Sequence, residues 1–359
     1  VSPRVTATVE LSALRHNLGV VRGFCPGARV MAAVKADAYG HGAVPVARAL
    51  ADAGVDALAV ACMQEALALR RARIRTPIAL LEGILTAEEA AAAVYEELDV
   101  VVHDHWQLDL LHALGPQAQV GVWLKLDTGM HRLGFPVEDV PVLRQALAAH
   151  PGWRFRGWMT HLATADEPDN PFTAEQIARF SAALEGVPGP RSIANSAGLI
   201  AWPQARVDWV RPGIALYGAS PLPGRSAASL GLKPAMTLES RLIAVREFDA
   251  GESLGYGRIY RCPERMPVGV VACGYADGIR RSLPNGTPML IGGRRVPLAG
   301  RVSMDMITVD LRGIATPRIG ETVRLWGEGL PAETVAEHAG IIVYELFCGL
   351  TQRVHFVHR

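Results

Sequence analysis

Cysteine is scarce and poorly placed for cross-linking. The 359-residue chain has five, Cys25, Cys62, Cys262, Cys273 and Cys348, an odd number at wide spacings with no CxxC pair. This disfavours a disulfide framework or a zinc site, and makes a reducing cytoplasm the expected setting. An excess of charge is missing too: 36 Lys and Arg face 35 Asp and Glu, a formal net charge of +1. Binding to nucleic acid or an anionic membrane needs a clustered basic surplus, so neither partner is expected. No stretch is long and apolar enough to span a bilayer. The start, Val1-Ser2-Pro3-Arg4, leads into an apolar alternation without a signal-type run. A GxGxxG after the first strand, the mark of a doubly wound dinucleotide fold, is also absent.

What the chain does have is apolar residues, 50% of the total, enough for one large domain and a smaller one. Short apolar runs fall at 29–34, 57–61, 77–81, 98–102, 120–126, 155–160, 192–194 and 207–215. Ala- and Leu-rich segments with helical spacing lie at 44–53, 63–72, 87–97, 106–113, 140–150 and 173–184. Near-continuous apolar strands alternating with helices imply a parallel sheet covered on both faces. Eight such strands in a row predict an α/β fold, a (β/α)8 TIM-type barrel. Near residue 220 the texture changes to Ser220-Pro221-Leu222-Pro223-Gly224, a linker composition. Beyond it, runs at 236–245, 268–272, 288–291, 302–310 and 322–326 are separated by turn signals, with one helical segment at 331–338. The predicted domains are a barrel over 1–228 and a β-rich domain over 229–359.

A barrel of this kind carries its active site at the C-terminal ends of its strands. Lys35 closes the first run, where partial desolvation makes an amine available for a Schiff base. A snorkelling or salt-bridged lysine fits that position equally well on these grounds alone. After the fifth run, Asp127-Thr128-Gly129-Met130-His131-Arg132 puts Arg132 on a glycine-bearing loop, suited to a carboxylate. Lys125 is a charge inside the apolar strand Val122-Trp123-Leu124-Lys125-Leu126 and must be paired or modified there. His161 ends the sixth run; a lone histidine is more often structural. The last two strand ends carry Asn195-Ser196-Ala197-Gly198 and Arg211-Pro212-Gly213-Ile214, small residues with the free N–H groups of a barrel phosphate site. A Schiff-base lysine and a phosphate cradle in one barrel mouth point to pyridoxal phosphate.

The blocks AVKADAYGHG, KLDTGMHRLG, THLATADE, WVRPGIALYG, GYGRIY, CGYADG and GRVSMDM, in this order from about residue 5 to the C-terminus, resemble the alanine racemase family. The resemblance implies a pyridoxal-phosphate enzyme that interconverts L- and D-alanine, for cell-wall synthesis or for D-alanine breakdown. It makes Lys35 the cofactor lysine and one catalytic base, and Tyr256 the acid/base on the opposite face. Tyr39, Ser196, Gly213 and Ile214 would hold the phosphate, Asn195 would lie beside them, and Arg211 would face the ring nitrogen. His161 would join Arg211 to the tyrosine, and Arg132 would meet the phenolic oxygen and the substrate carboxylate. Lys125 matches a lysine that is carbamylated in some members. Tyr275 and Met304 would close the site and keep the substrate small. Asp166, Arg281 and Arg301 would line the entrance channel. The family's sites are shared between two subunits, so a homodimer is implied. A tyrosine that some members place near the C-terminus is here Gln352.

Two opposed acid/bases suit racemisation, because the proton leaves one face of the α-carbon and returns on the other. A permanently charged Arg211 is expected to donate no full proton to the ring, which restrains side reactions. Three other readings compete. A barrel-type decarboxylase would place an acid at the Arg211 position. A cofactor carrier would lack the second domain, and a Schiff-base aldolase would use Lys35 alone. Without the resemblance, Tyr256 and Tyr275 read as ordinary strand residues. On the same footing, Met304, Cys273 and Cys348 read as buried filler.

Overall fold

The computed structural model describes residues 3–359. Eight parallel strands close into a barrel in sequence order: Arg29–Ala33, Ala57–Val60, Ile78–Leu80, Asp99–Val102, Val120–Lys125, Trp153–Met159, Arg191–Ser192 and Trp209–Val210. Each overlaps one of the apolar runs, though Trp153–Met159 starts two residues before its run and Arg191–Ser192 shares only Ser192 with its own, and the six expected helices are present within two residues of their predicted ends. Two further helices of the barrel domain, Leu11–Phe24 and Ser196–Ala201, went unread. The inside of the barrel is filled by small side chains around one large one. Ala57, Ala59 and Ala79 sit with Met31, Val101 and Met159 around Trp123. It is a solid core, so ligands must bind at its ends.

The second domain is an eight-stranded sheet built on the long strand Met236–Phe248. The strand Thr6–Val9 belongs to this sheet, antiparallel to Met236–Phe248 and parallel to the final strand His355–His358. The division at residue 228 remains our proposal, with this first strand crossing it. The apolar alternation there was visible, but an isolated strand gives no hint of a partner more than 200 positions away in the register Thr6↔Glu239. The expected strand over 302–310 is confined to Ile307–Asp310. Residues before it form a loop that exposes Met304 and Met306. A short helix, Val343–Cys348, was also missed. Its six residues are too few to show a period.

The two domains are stitched where the linker leaves the barrel. Asn17, fully buried in Leu11–Phe24, donates through Nδ2 to the carbonyls of Leu216 and Lys233 and accepts from Lys233 N–H. Gly218 lies in the same seam at φ +77°, and a Cβ there would fall 1.8 Å from the Lys233 carbonyl oxygen. Gly218→Ala should therefore cost about 2 kcal/mol or more, from left-handed strain plus backbone displacement. Gly224→Ala is the control: φ is +71° but nothing lies within 4 Å. It should lose only about 1 kcal/mol. Equal losses for the two variants in chemical denaturation would show that the seam is not tight.

Candidate active site

Lys35 follows the first barrel strand, and directly after it the backbone turns the wrong way. Ala36, Asp37, Ala38 and Tyr39 all have φ between 51° and 54° and ψ between 42° and 53°, a single left-handed turn. L-residues resist this conformation by roughly 1–2 kcal/mol each, so the surroundings must impose it. Glu65 accepts from Ala36 N–H at 2.6 Å and from Ala61 N–H at 2.8 Å. The Asp37 carboxylate accepts from Ala43 N–H at 2.6 Å. The turn brings Tyr39 back over the barrel mouth, its hydroxyl against Gly213, where a Cβ would meet it at 2.3 Å.

One cavity of about 430 Å³ opens at that mouth, and the expected barrel residues converge on it. Lys35, Tyr39, Lys125, Arg132, His161, Asn195, Ser196, Arg211 and Gly213 all line it. Ile214 is buried next to Gly213 but does not line it. Asn195 caps the helix Ser196–Ala201 by accepting from Gly198 N–H at 2.8 Å. Ser196 Oγ accepts from Gly213 N–H at 2.9 Å and Ala215 N–H at 3.3 Å, tying the last two strand ends together. Asp127 shapes the loop of Arg132: it accepts from Gly129 and His131 N–H and pairs with the His131 ring. Leu81, Glu82, Tyr344 and Cys348 line the cavity as well, and sequence reasoning did not find them. Cys348 is exposed, so reading it as buried filler was wrong; Cys273 is fully buried. Gln352 is exposed and lies outside the cavity.

The electrostatics are one-sided. Arg211 is 6% exposed, yet no carboxylate holds it. It donates to Ser192 Oγ, to the carbonyls of Thr160 and Ile193, and at 3.4 Å to His161 Nδ1. Burial brings it down to about 10, so it stays charged at neutrality. Burial also lowers Lys125, to about 8, assisted by the positive charges of Arg211, Arg132 and Lys35; only Asp127 opposes them. His161 is held well below its usual range by burial and then by Arg211. It is a neutral imidazole. With Nδ1 accepting from Arg211, its Nε2 carries the proton and can donate.

The second-domain candidates lie elsewhere. Tyr256 is 67% exposed, and Tyr275 and Met304 are exposed as well; none lines the cavity. They share one surface: Gly257, beside Tyr256, abuts the Arg301 side chain, and Tyr275 N–H and Ala276 N–H donate to Ser303 and Met304 carbonyls. Arg281 and Arg301 line a separate open hollow of about 340 Å³ there. Asp166 is exposed on the loop after the sixth barrel strand, and its charge reaches Tyr344 at the cavity.

Residues 9–221 match the family model for the alanine racemase N-terminal domain, and residues 235–358 match that for the C-terminal domain. The chain is 47% identical to the alanine racemase of Shewanella amazonensis over 357 residues, 98% of each chain. Against the biosynthetic alanine racemase of Pseudomonas aeruginosa the identity is 45% and the TM-score 0.96, with both chains fully covered. The alanine racemase of Bartonella henselae, solved with covalently bound pyridoxal phosphate, superposes with a TM-score of 0.91 at 28% identity, again over the whole of both chains.

The depressed Lys125 sets a pH dependence. An unfolded lysine releases its proton near 10.5 and the folded Lys125 near 8. Between these values the unfolded chain holds a proton that the folded chain has lost, so stability rises with pH in this window. In cofactor-free, bicarbonate-free protein, Lys125→Met should be more stable than wild type at pH 7 by about 1–3 kcal/mol, since it removes an uncompensated buried charge. The gap should close as pH rises from 8 towards 10.5. A gap that ignores pH would mean that Lys125 releases its proton at the same pH in the folded and the unfolded chain.

Proposed function

The chain belongs to the alanine racemase family, and from that premise we propose how its residues divide the interconversion of L-alanine and D-alanine, with pyridoxal phosphate as cofactor. The observation that carries the assignment is the convergence of Lys35, Lys125, Arg132 and Arg211 on one cavity, where Glu82 is the one lining carboxylate. Such a site calls for anionic ligands. The residues fit the cofactor. Ser196, Gly213 and the Tyr39 hydroxyl surround a place for its phosphate, with the Ile214 backbone adjoining and Asn195 fixing the loop. Gly213 tolerates no side chain there. Arg211 is clamped at the position assigned to the ring nitrogen. Lys35 is the amine that would hold the cofactor covalently.

Bound there, the cofactor supplies an electron-withdrawing system conjugated to the substrate's amino nitrogen, which acidifies the Cα–H bond. Lys35 Nζ takes or gives the proton on one face of Cα. Arg132 holds the substrate carboxylate and keeps Cα between the two proton carriers. Carbamylated Lys125 would turn a repelling neighbour of Arg132 into an anionic partner. Arg211, charged at working pH, keeps its proton, so the ring side of the site stays aprotic. His161, neutral, offers its Nε2–H to the phenolic oxygen of Tyr256, which lets that oxygen hold negative charge and act as the base on the other face.

In its own chain Tyr256 is exposed outside the cavity. We therefore place it over the barrel mouth of a second copy, in a homodimer with two shared sites. Tyr275 and Met304 then crowd the space for the substrate side chain, and Asp166, Arg281 and Arg301 border the entrance. No helix of the described residues is long and apolar enough to cross a membrane. We place the enzyme in the cytoplasm, where D-alanine serves cell-wall synthesis or is broken down.

Mixing two inactive variants tests the assignment. Lys35→Ala and Tyr256→Phe should each lose D-alanine formation and α-deuterium incorporation from L-alanine in D₂O almost completely. Co-refolded in equal amounts, they should recover about a quarter of wild-type activity. Half the dimers are then mixed, and each mixed dimer has one intact site. No recovery would place both bases in one chain, and full activity of Tyr256→Phe would remove Tyr256 from the chemistry.

A further inference from the structure

Tyr39 is the one phosphate candidate that stands on strained backbone, so its aim depends on what grips its ring. One side is fixed from below. Tyr217, fully buried and tied through its hydroxyl to the Ala33 carbonyl at 2.8 Å, stacks on Tyr39 with centroids 4.8 Å apart. A second ring comes from the other domain. Tyr344, on the helix Val343–Cys348, meets Tyr39 at 5.6 Å and an interplanar angle of 45°. The same helix grips the rest of the turn. Phe347 meets the His41 ring edge-on at 4.9 Å, and its carbonyl oxygen lies where a Cβ on Gly40 would be, 2.3 Å away. His358, in the final strand, shares a hydrogen bond of 2.8 Å with the His41 carbonyl. Tyr344 also lines the cavity, and burial raises its hydroxyl well above the usual phenol range, so it is a neutral ring at working pH.

We infer that Tyr344 is a positioning residue for the cofactor phosphate: its ring, held by the second domain of the same chain, pins Tyr39 against Tyr217 and so keeps the Tyr39 hydroxyl aimed between Gly213 and Ser196. The inference rests on the proposed function, which makes that place the phosphate site. It gives the second domain two separate duties. In its own subunit it firms up cofactor binding through Tyr344, and towards the second subunit it presents Tyr256. The ring does the work here, not the hydroxyl, because what joins Tyr344 to Tyr39 is a tilted ring–ring contact at 45°.

The test is equilibrium binding to cofactor-free protein, read from the absorbance of the Lys35 Schiff base, with two probes: pyridoxal phosphate and pyridoxal, which lacks the phosphate. Wild type must bind pyridoxal phosphate; if it does not, the proposed function fails before this inference is reached. Tyr344→Leu, which keeps apolar bulk, should bind pyridoxal phosphate about tenfold more weakly, as expected for loss of an aromatic pair. Tyr344→Phe should stay within about twofold of wild type. Pyridoxal affinity should be unmoved in both variants, and the Leu effect should vanish when Tyr39→Phe is already present. Equal losses for Phe and Leu, equal losses for the two probes, or no loss in Tyr344→Leu would each overturn the inference. A milder replacement, Tyr344→His, serves the same comparison if Tyr344→Leu does not fold.

Discussion

Positive charge without counter-charge governs this site. Lys35, Lys125, Arg132 and Arg211 meet in one barrel mouth, and among the described residues the buried pair, Lys125 and Arg211, forms no salt bridge, with only the charge of Asp127 opposing the positive charges around Lys125. Buried charge is tolerated only when paired or solvated by hydrogen bonds. Arg211 meets that condition with carbonyl and hydroxyl oxygens. Lys125 meets it only above about pH 8, where it has given up its proton. A cofactor phosphate, a substrate carboxylate and a carbamate would supply the missing anions. Ligand binding and folding stability are then coupled in this chain. The same arrangement speaks against the decarboxylase alternative, which calls for an acid where Arg211 stands.

Strain is the second constraint, and it explains why the domains interlock. A left-handed turn of four non-glycine residues would relax if left alone. Glu65 and Asp37 secure its backbone from the barrel side. Phe347, His358 and Tyr344 cover it from the other domain. The first strand, Thr6–Val9, lies in the second domain's sheet and is followed at once by the helix Leu11–Phe24 on the barrel. The covering domain is therefore fastened at both ends of the chain.

The barrel was readable because its code is redundant. Eight apolar runs, each bounded by turn residues and followed by a helical period, leave few other architectures. Even the two-residue strands Arg191–Ser192 and Trp209–Val210 were marked by their apolar surroundings and the polar residues after them. The barrel half of the site followed from the same logic, since strand ends are where such folds place chemistry. What stayed hidden lacked a local signal. Ala36-Asp37-Ala38-Tyr39 reads as ordinary helix, and nothing in four non-glycine residues announces positive φ. Tyr344 and Cys348 sit on a single short turn of helix whose importance is purely tertiary. Tyr256, Tyr275 and Met304 were singled out by resemblance alone. Their residue types suggested strand or core, and the structure exposes all three.

That exposure has a physical logic of its own. A racemase needs proton carriers on both faces of one carbon, yet a barrel mouth can approach a flat cofactor only from the side on which its strands end. The opposing group must descend from above, on an element that the barrel does not own. Gly255 and Gly257, at φ +63° and +72°, flank Tyr256 and hold it out from the sheet. The domain that carries it already covers its own barrel through Val343–Cys348, so in the proposed dimer the loop of Tyr256 serves the other barrel. On this view dimerisation is required by the stereochemistry of the reaction rather than by stability. In that proposed dimer each subunit's covering domain would secure the cofactor in its own barrel and supply the second base to its neighbour's.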